Sequence, residues 1–431
     1  MKKRYDLSNS FFTKANKVIP LASQTFSKSI IQYPKGLSPL FIERGKGSKV
    51  WDIDGNEYID LVSGLLPIIL GYQDPDVDKA ISEQLTKGIT FSLPTKLEAE
   101  LAEKLISLIP CAEMVRFGKN GTDATSAAIR LSRAYTNKER IVALGYHGWQ
   151  DWFIGSTSRP KGVPKAVREL TEKVKYNDIS SLEVAFNNGN NDIAAVIMEP
   201  MTFDWPEDGY LKKVKSLCEQ KGALLIFDEI ITGFRFNLGG AQKLLGVTPH
   251  LAAFGKGLGN GMPISAVVGR ADIMMEMNEI FYSGTFGGEA LSIAASLAVI
   301  SKMEREPVID HLWDFGSLLK NNLNKTIYKY NLQDVIEIKG ADPWSMITFS
   351  DYDAIPSAAI RTQYIIDMLQ NGVLTLGTHN ISYAHTDEDL IKIVHANDEA
   401  LKNIKNLLSD GTLYKKLEAD VILPVFEVRT N

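Results

Sequence analysis

The chain has 431 residues, enough for two domains or for one large and one split domain. Its composition, 45% apolar and 23% charged, is typical of a folded globular protein. Its net charge of −5 comes without a basic block, which argues against a nucleic-acid partner. No apolar stretch is long enough to span a bilayer, and residues 1–12 lack the apolar core of a signal peptide, so we expect a cytoplasmic protein that is not bound to a membrane. Cys111 and Cys218 lie far apart in sequence and match no disulfide or zinc pattern, so we expect no metal site.

The N-terminal region predicts short elements of mixed type. Residues 9–19 have the apolar spacing of an amphipathic helix. Residues 41–60 alternate apolar and polar side chains on either side of Asp54-Gly55, a pattern that favours a β-hairpin.

From about residue 80 to residue 305, short apolar runs alternate with helical patterns. Such runs, buried on both faces, are typical of a mostly parallel sheet that helices cover on both sides. We predict strands at 114–117, 140–146, 193–200, 223–230, 251–254 and 264–269, and helices at 122–136, 210–221 and 289–304.

The C-terminal region again mixes the two types. A helix is followed by strand-like segments at 334–340 and 345–350, a second helix, a segment at 380–385, and a helix at 386–404 that Thr386 and Asp389 would cap. We therefore predict an α/β protein with a large domain at 81–305 and a smaller α+β domain built from 1–80 and 306–431.

The first candidate site follows the strand that ends at Phe117, where a loop leads into a helix near Thr122. The free N–H groups of Asn120, Gly121 and Thr122 at the helix start would favour an anion such as a phosphate. The alternative is a plain strand-to-helix turn that Thr122 caps.

Two further candidates, Asp228 and Lys256, follow apolar strands one crossover apart. A carboxylate buried like Asp228 costs several kcal/mol unless it meets a cation or a proton donor, although it could also cap the next turn. Its neighbour Glu229 is expected to point to the opposite face. Lys256 lies between two glycines, where a weakly hydrated amine has a lowered pKa and can act as a nucleophile. The alternative is a lysine that reaches the solvent.

A fourth candidate is the pair Tyr146 and His147 at another strand end. The aromatic ring could stack on a flat cofactor, whereas the alternative is a core tyrosine followed by a loop histidine. An amine, a carboxylate and a helix start at neighbouring strand ends fit pyridoxal phosphate, which offers an aldehyde, a pyridine nitrogen and a phosphate.

Six motifs in order carry a family resemblance: NGTDA, YHGWQDW, IMEP, FDEIITGFRF, FGKGLGNGMPISAVVGR and SGTFGGEALSIAA. From about residue 10 to residue 405 the chain resembles a class-III aminotransferase of fold type I, in the glutamate-1-semialdehyde aminomutase branch. The resemblance implies a mostly parallel seven-stranded sheet, bound pyridoxal phosphate, and a homodimer with the cofactor at the subunit interface.

The resemblance also implies a role for each matching residue. Lys256 would form the Schiff base with the cofactor and move the proton, and Asp228 would bond the pyridine nitrogen. The cofactor-binding residues would be Asn120, Gly121 and Thr122 at the phosphate, Tyr146 and Ile230 on the two faces of the ring, Glu199 in the E-P turn, and Gly284 and Thr285 from the second subunit.

The substrate side departs from the aminomutase pattern. Lys28 stands near the position of an arginine, Leu65 replaces a tryptophan, and a glutamate near Gly377 is missing. We therefore expect an aminotransferase that uses an amino donor, with glutamate as the first choice, and a small aldehyde or ketone acceptor, sugar-derived acceptors included. An intramolecular aminomutase is the main alternative, and a racemase or decarboxylase would keep the same cofactor residues. A binding protein without catalysis is disfavoured because Asp228 and Lys256 are both present.

Overall fold

The structure is a computed structural model that describes residues 4–423. The chain divides into two compact units: a small unit of residues 4–74 and 310–423, and a large unit of residues 75–309. The strands are β1 (Ile42–Lys46), β2 (Lys49–Asp52), β3 (Glu57–Asp60), β4 (Met114–Gly118), β5 (Arg140–Leu144), β6 (Thr171–Lys173), β7 (Ile193–Met198), β8 (Leu224–Asp228), β9 (Leu251–Phe254), β10 (Ser265–Gly269), β11 (Ile336–Ala341), β12 (Trp344–Phe349), β13 (Val373–Leu374) and β14 (Thr378–Asn380).

The helices surround these strands in chain order. They are α1 (Asp6–Ala15), α2 (Pro75–Leu85), α3 (Lys96–Leu108), α4 (Gly121–Thr136), α5 (Asp151–Ile154), α6 (Lys165–Arg168), α7 (Ile179–Asn188), α8 (Tyr210–Gln220), α9 (Gly240–Leu245), α10 (Ala271–Met274), α11 (Ala290–Arg305), α12 (Val308–Lys329), α13 (Ser357–Gln370), α14 (Asp387–Ser409) and α15 (Leu413–Lys416). Over the described part of the chain, no helix has the length and apolarity needed to cross a membrane.

The large unit is built on a seven-stranded sheet in the order β4-β10-β9-β8-β7-β5-β6. Only β10 runs antiparallel to its neighbours, so the predicted mostly parallel seven-stranded sheet is confirmed. Every residue of β7, β8 and β9 is buried, which explains why these strands read as continuous apolar runs. The apolar face of α4 packs against this sheet through alanines and Leu131.

The sheet also contains a strand that the apolar pattern does not reveal. β6 has the sequence Thr-Glu-Lys and pairs in parallel with β5 at the edge of the sheet. A three-residue strand with two charged side chains lacks the apolar run on which the prediction of the other strands depends.

The small unit contains two sheets, β1-β2-β3-β13 and β11-β12-β14. The predicted hairpin around Asp54-Gly55 is present, because β2 and β3 pair antiparallel on either side of it. The capping pair of α14 is also present, since the Asp389 N–H donates to Thr386 Oγ1 and the Thr386 N–H donates to the Asp389 carboxylate. The segment predicted at 380–385 was misplaced: β14 ends at Asn380, and the residues after it form a turn.

Candidate active site

A cavity of about 230 Å³ opens at the carboxyl ends of the parallel strands of the large unit. We call it the strand-end cavity. Ligands of α/β sheets bind at this edge because the loops that follow parallel strands gather there. Its lining comes from the start of α4 and from the segments after β5, β7, β8 and β9: Asn120, Gly121, Thr122, Thr125, Tyr146, His147, Gly148, Trp149, Glu199, Asp228, Ile230, Ile231 and Lys256.

Lys256 follows β9, is partly buried and lines this cavity. Its φ of +40° lies in the left-handed region, which a residue with a side chain adopts at a cost of about 1–3 kcal/mol and which is concentrated at functional sites. Burial lowers the pKa of the Lys256 amine, while the carboxylates of Asp228 and Glu199 partly oppose this shift. Lys256 therefore has more of the neutral, nucleophilic amine near neutral pH than an exposed lysine.

Asp228 ends β8, the strand next to β9, and its side chain is buried. Its Oδ1 accepts a hydrogen bond from the Ile230 N–H at 3.1 Å, and its Oδ2 lies 2.8 Å from His147 Nδ1. The carboxylate and the Lys256 amine therefore reach the same cavity from neighbouring strands.

The His147 ring holds a proton between itself and Asp228. His147 Nε2 lies 2.9 Å from the Leu144 carbonyl oxygen, which can only accept, so Nε2 carries a proton. Nδ1 then faces a carboxylate oxygen, and this contact is favourable only if one more proton lies between the two groups. Burial lowers the pKa of His147, and the hydrogen bond to Asp228 opposes that shift. The pair thus holds Asp228 in one orientation.

Glu199 follows β7 and supplies a second carboxylate to the cavity lining. Its Oε2 accepts a hydrogen bond from the Tyr146 N–H at 3.3 Å. Burial raises the pKa of Glu199, the nearby Asp228 raises it further, and the cations Lys256 and Lys173 oppose the shift. The Glu199 side chain therefore contacts the turn that carries Tyr146 and also lies near the charged groups of Lys256 and Asp228.

Glu229 follows Asp228 in sequence but has different partners. It is fully buried and accepts hydrogen bonds from the N–H groups of Ala241 at 2.7 Å and Gln242 at 2.9 Å, in the first turn of α9. The Thr232 hydroxyl also donates to it. Glu229 thus stabilises a helix start, as expected for a carboxylate on the other side of the strand from Asp228.

At the start of α4, the structure contradicts the prediction that the Asn120 N–H is free. The Asn120 N–H is not free, because it donates to the Asp123 carboxylate at 2.7 Å, and the Lys119 N–H donates to the same oxygen at 3.0 Å. Helix geometry leaves the N–H groups of Gly121 and Thr122 without an intrahelical acceptor. The physical reason for the error is a capping box, in which the third helical residue reaches back to the N-cap.

Thr122 has a hydroxyl that suits a ligand. Its Oγ1 is buried and has no hydrogen-bond partner among the described residues, although it borders the cavity. A Cβ at Gly148, whose φ is +108°, would lie only 2.5 Å from this oxygen, so any side chain there would obstruct it. The glycine at position 148 therefore lets the backbone of the 146–149 turn lie close to the start of α4.

Four other predicted site residues lie outside the strand-end cavity. Gly284 and Thr285 are exposed, and Gly284 lines a different cavity of about 360 Å³ in the large unit. Lys28 and Leu65 belong to the small unit. Lys28 lines a cavity of about 370 Å³ there, which we call the small-unit cavity, and Leu65 packs against the adjacent apolar cluster.

Some residues of the site were missed or left undecided by the sequence. His147 was considered only together with Tyr146, as a pair that could supply a stacking ring or as a core tyrosine and a loop histidine, so its contact with Asp228 was missed. Trp149, 64% exposed, and Thr125, whose hydroxyl donates to the His147 carbonyl at 2.9 Å, also line the cavity. The positions of Trp149 and of the His147 carbonyl depend on the folding of the loop after β5, which no local pattern specifies, whereas Thr125 lies on α4.

The architecture and the site together define a class of protein, and the mostly parallel seven-stranded sheet is that of the fold type I transaminases. The chain belongs to the class-III aminotransferase family, whose model matches residues 32–408.

Individual relatives cover nearly the whole chain. It is 37% identical over 412 residues to the 3-aminobutyryl-CoA aminotransferase of Cloacimonas acidaminovorans (strain Evry), covering 93% of this chain and 98% of the relative. It is 35% identical over 426 residues to the glutamate-1-semialdehyde 2,1-aminomutase of Alkaliphilus oremlandii (strain OhILAs), covering 92% and 99%. The structure of the FumI protein of Sphingopyxis sp. MTA144, in its PLP internal aldimine form, matches with a TM-score of 0.87 at 28% identity, covering 96% of this chain and 98% of that one.

Proposed function

We propose that this chain is a pyridoxal-phosphate-dependent aminotransferase that moves an amino group from glutamate, or another amino donor, to a small aldehyde or ketone. The observation that carries the proposal is the meeting of Lys256, Asp228 and the start of α4 in one cavity. The family supports both the cofactor and the reaction class. We place the reaction in the cytoplasm.

The donor set of the strand-end cavity fits this cofactor. The Thr122 hydroxyl, buried without a partner in the described structure, and the N–H groups of Gly121 and Thr122 are suited to phosphate oxygens. Tyr146 and Ile230 offer flat and apolar surfaces to the ring. When bound, pyridoxal phosphate supplies an aldehyde that reacts with primary amines and a pyridine ring that withdraws electrons from the reacting carbon.

Lys256 and Asp228 have complementary tasks in this proposal. The Lys256 amine would hold the cofactor through its aldehyde, and it would be the base for the α-carbon proton of the amino donor. Asp228 would hold a proton on the pyridine nitrogen, and the contact with His147 would keep the carboxylate in the required orientation. Glu199 orients the backbone of Tyr146.

The substrate is proposed from the small unit and from the relatives. Lys28 would attract an anionic group, while Leu65 offers no polar contact. Sugar-derived carbonyls are included among the proposed acceptors. A 3-amino acyl thioester belongs in the donor panel because one relative is named a 3-aminobutyryl-CoA aminotransferase. The second candidate function is the intramolecular aminomutase, which the names of other relatives favour.

A half-reaction separates the two functions. An aminotransferase loaded with pyridoxal phosphate should convert glutamate to 2-oxoglutarate in an amount equal to the number of sites, with loss of the visible absorbance of the cofactor. Addition of an acceptor should then restore the absorbance. If glutamate leaves the spectrum unchanged while glutamate-1-semialdehyde is turned over to 5-aminolevulinate, the protein is a mutase.

We also propose a homodimer in which Gly284 and Thr285 contribute to the phosphate site of the partner subunit. The surface near these residues supports an interface, because Phe281 is 80% and Leu93 is 78% exposed, and their chain neighbours Tyr282 and Pro94 line one cavity. Mixing Lys256→Ala with Thr285→Ala subunits should restore part of the activity, since one of the two hybrid sites is intact. Proven subunit exchange without recovery would contradict a shared site.

A further inference from the structure

We propose that Lys173 is a positioning residue of the active site, which holds the turn at Gly145 and Tyr146 in the conformation that presents the Tyr146 ring to the strand-end cavity. Lys173 ends β6, the edge strand of the large sheet, and is partly buried. It is not among the described residues that line the cavity, so it would act through its neighbours.

The first contact of Lys173 is with the backbone of the turn. Its Nζ donates a hydrogen bond to the Gly145 carbonyl oxygen at 2.9 Å. On the other side of the same peptide group, the Tyr146 N–H donates to Glu199. Gly145 has a φ of +97°, and a Cβ there would lie 2.4 Å from Glu199 Oε2. Lys173 and Glu199 therefore fix this peptide group through its carbonyl oxygen and its N–H respectively, and each of these hydrogen bonds is strongest when the side chain is charged.

The second contact is with an aromatic ring that supports Tyr146. Lys173 Nζ lies 3.8 Å from the centre of the Phe153 ring, which is fully buried. The Phe153 ring in turn meets Tyr146 edge-on, with 5.5 Å between the ring centres. The ammonium group thus supports the side chain of Tyr146 as well as its backbone, because a cation close to a ring face restrains the position of that ring.

The electrostatics of this region agree with a specific role. Burial lowers the pKa of Lys173 to about 7, and the Glu199 carboxylate opposes the shift. A lysine in such surroundings costs free energy that a leucine or methionine would avoid. The contacts with Gly145 and Phe153 give a reason for its presence. The inference rests on the proposed contact of Tyr146 with the cofactor, but the first measurement below does not.

Amide hydrogen exchange of the apoprotein tests the positioning directly. In Lys173→Met, the amides of residues 145–149 should exchange at least about fivefold faster than in the wild type, because the turn loses the hydrogen bond that Lys173 donates to Gly145. Lys175→Met is the matched control, since Lys175 is exposed just beyond the same strand. It should leave these amides unchanged. Wild-type exchange at 145–149 in a folded Lys173→Met protein would overturn the proposal.

Titration of the same apoproteins with pyridoxal phosphate gives the second readout. Lys173→Met should bind the cofactor roughly tenfold more weakly, and Lys173→Arg, which keeps the charge and the donors, should recover most of the affinity. A lower melting temperature with wild-type affinity would mean that Lys173 is only structural, and the proposal would be wrong. If Lys173→Met does not fold, Lys173→Gln replaces it with the same expectations. Failure of the wild type to bind the cofactor would contradict the proposed function but not the exchange result.

Discussion

The strand-end cavity and the small-unit cavity differ in what their charged groups do. In the strand-end cavity, Lys256, Asp228 and Glu199 face the same space, and burial shifts the pKa values of the lysine and the glutamate towards their neutral forms. In the small-unit cavity, the buried Asp60 accepts hydrogen bonds from the Tyr72 hydroxyl at 2.6 Å and the Val62 N–H at 2.8 Å. Burial raises the pKa of Asp60 as well, but these hydrogen bonds tie its carboxylate to neighbouring groups of the small unit rather than to a second charged side chain.

This difference suggests separate tasks for the two cavities. Charged groups that share a space and have shifted pKa values are suited to proton transfer and covalent chemistry. The small-unit cavity, with apolar walls and the exposed Lys28, is suited to recognition. Each cavity is lined by a non-glycine residue with a strained backbone, because Ala22 in the small-unit cavity and Lys256 in the strand-end cavity both have positive φ values. Substitutions can test whether the division of tasks is correct.

The largest expected effect follows removal of the amine from the strand-end cavity. Lys256→Ala should lower turnover by roughly 10³-fold or more, because it removes both the amine that holds the cofactor and the base. Borohydride treatment of the wild type, followed by peptide mass spectrometry, should locate the fixed cofactor on the peptide that contains Lys256. Fixation on another lysine would show that the assignment is wrong.

The next largest effect should distinguish Asp228, the last residue of β8, from Glu229, which follows it. Asp228→Asn should reduce turnover by about 10²-fold or more while the cofactor still binds, since a neutral partner no longer favours the protonated pyridine. Glu229→Gln should instead lower the melting temperature, because Glu229 caps α9, and the folded, cofactor-loaded enzyme should keep turnover within about threefold. Equal losses of turnover in the two variants would remove the distinction.

A smaller effect concerns the pH dependence of Lys256. Only a neutral amine reacts with an acylating reagent, and burial lowers the pKa of Lys256, so its labelling in the apoprotein should reach a plateau at lower pH than that of a lysine in an unstructured peptide. Glu199→Gln should shift the Lys256 profile to still lower pH, because the removed carboxylate favours the ammonium form. Quantitative mass spectrometry across the pH range gives both midpoints. Coincident midpoints for Lys256 and the peptide lysine would contradict the assignment of a perturbed amine.

The parts of the site that the sequence predicts are those with a local signal. Asp228 and Lys256 follow apolar runs, and a polar residue after such a run lies at the end of a buried strand. The contact between His147 and Asp228 joins residues far apart in sequence, so it depends on packing that no local pattern specifies. β6 was not predicted because all three of its residues are polar.

One error had a signal that could have been used. Asn120 and Asp123 have the spacing of a capping box, and this motif removes the Asn120 N–H from the set of free donors. The substrate side is different, because the specificity of an aminotransferase depends on which side chains surround the substrate rather than on the fold. Lys28 and Leu65 therefore remain predictions.

The smallest expected effect tests the recognition task of the small-unit cavity. Lys28→Met should raise the KM for an anionic substrate by about fivefold and leave kcat within about twofold, because an exposed lysine contributes a modest attraction and takes no part in the chemistry. Lys17→Met, which removes another exposed lysine of the same unit, controls for the change in overall charge. The increase in KM should diminish at high salt, which screens exposed charges. A fall in kcat with unchanged KM would place Lys28 in the chemistry and break the division between the two cavities, whereas equal increases in KM for both variants would show a general effect of charge.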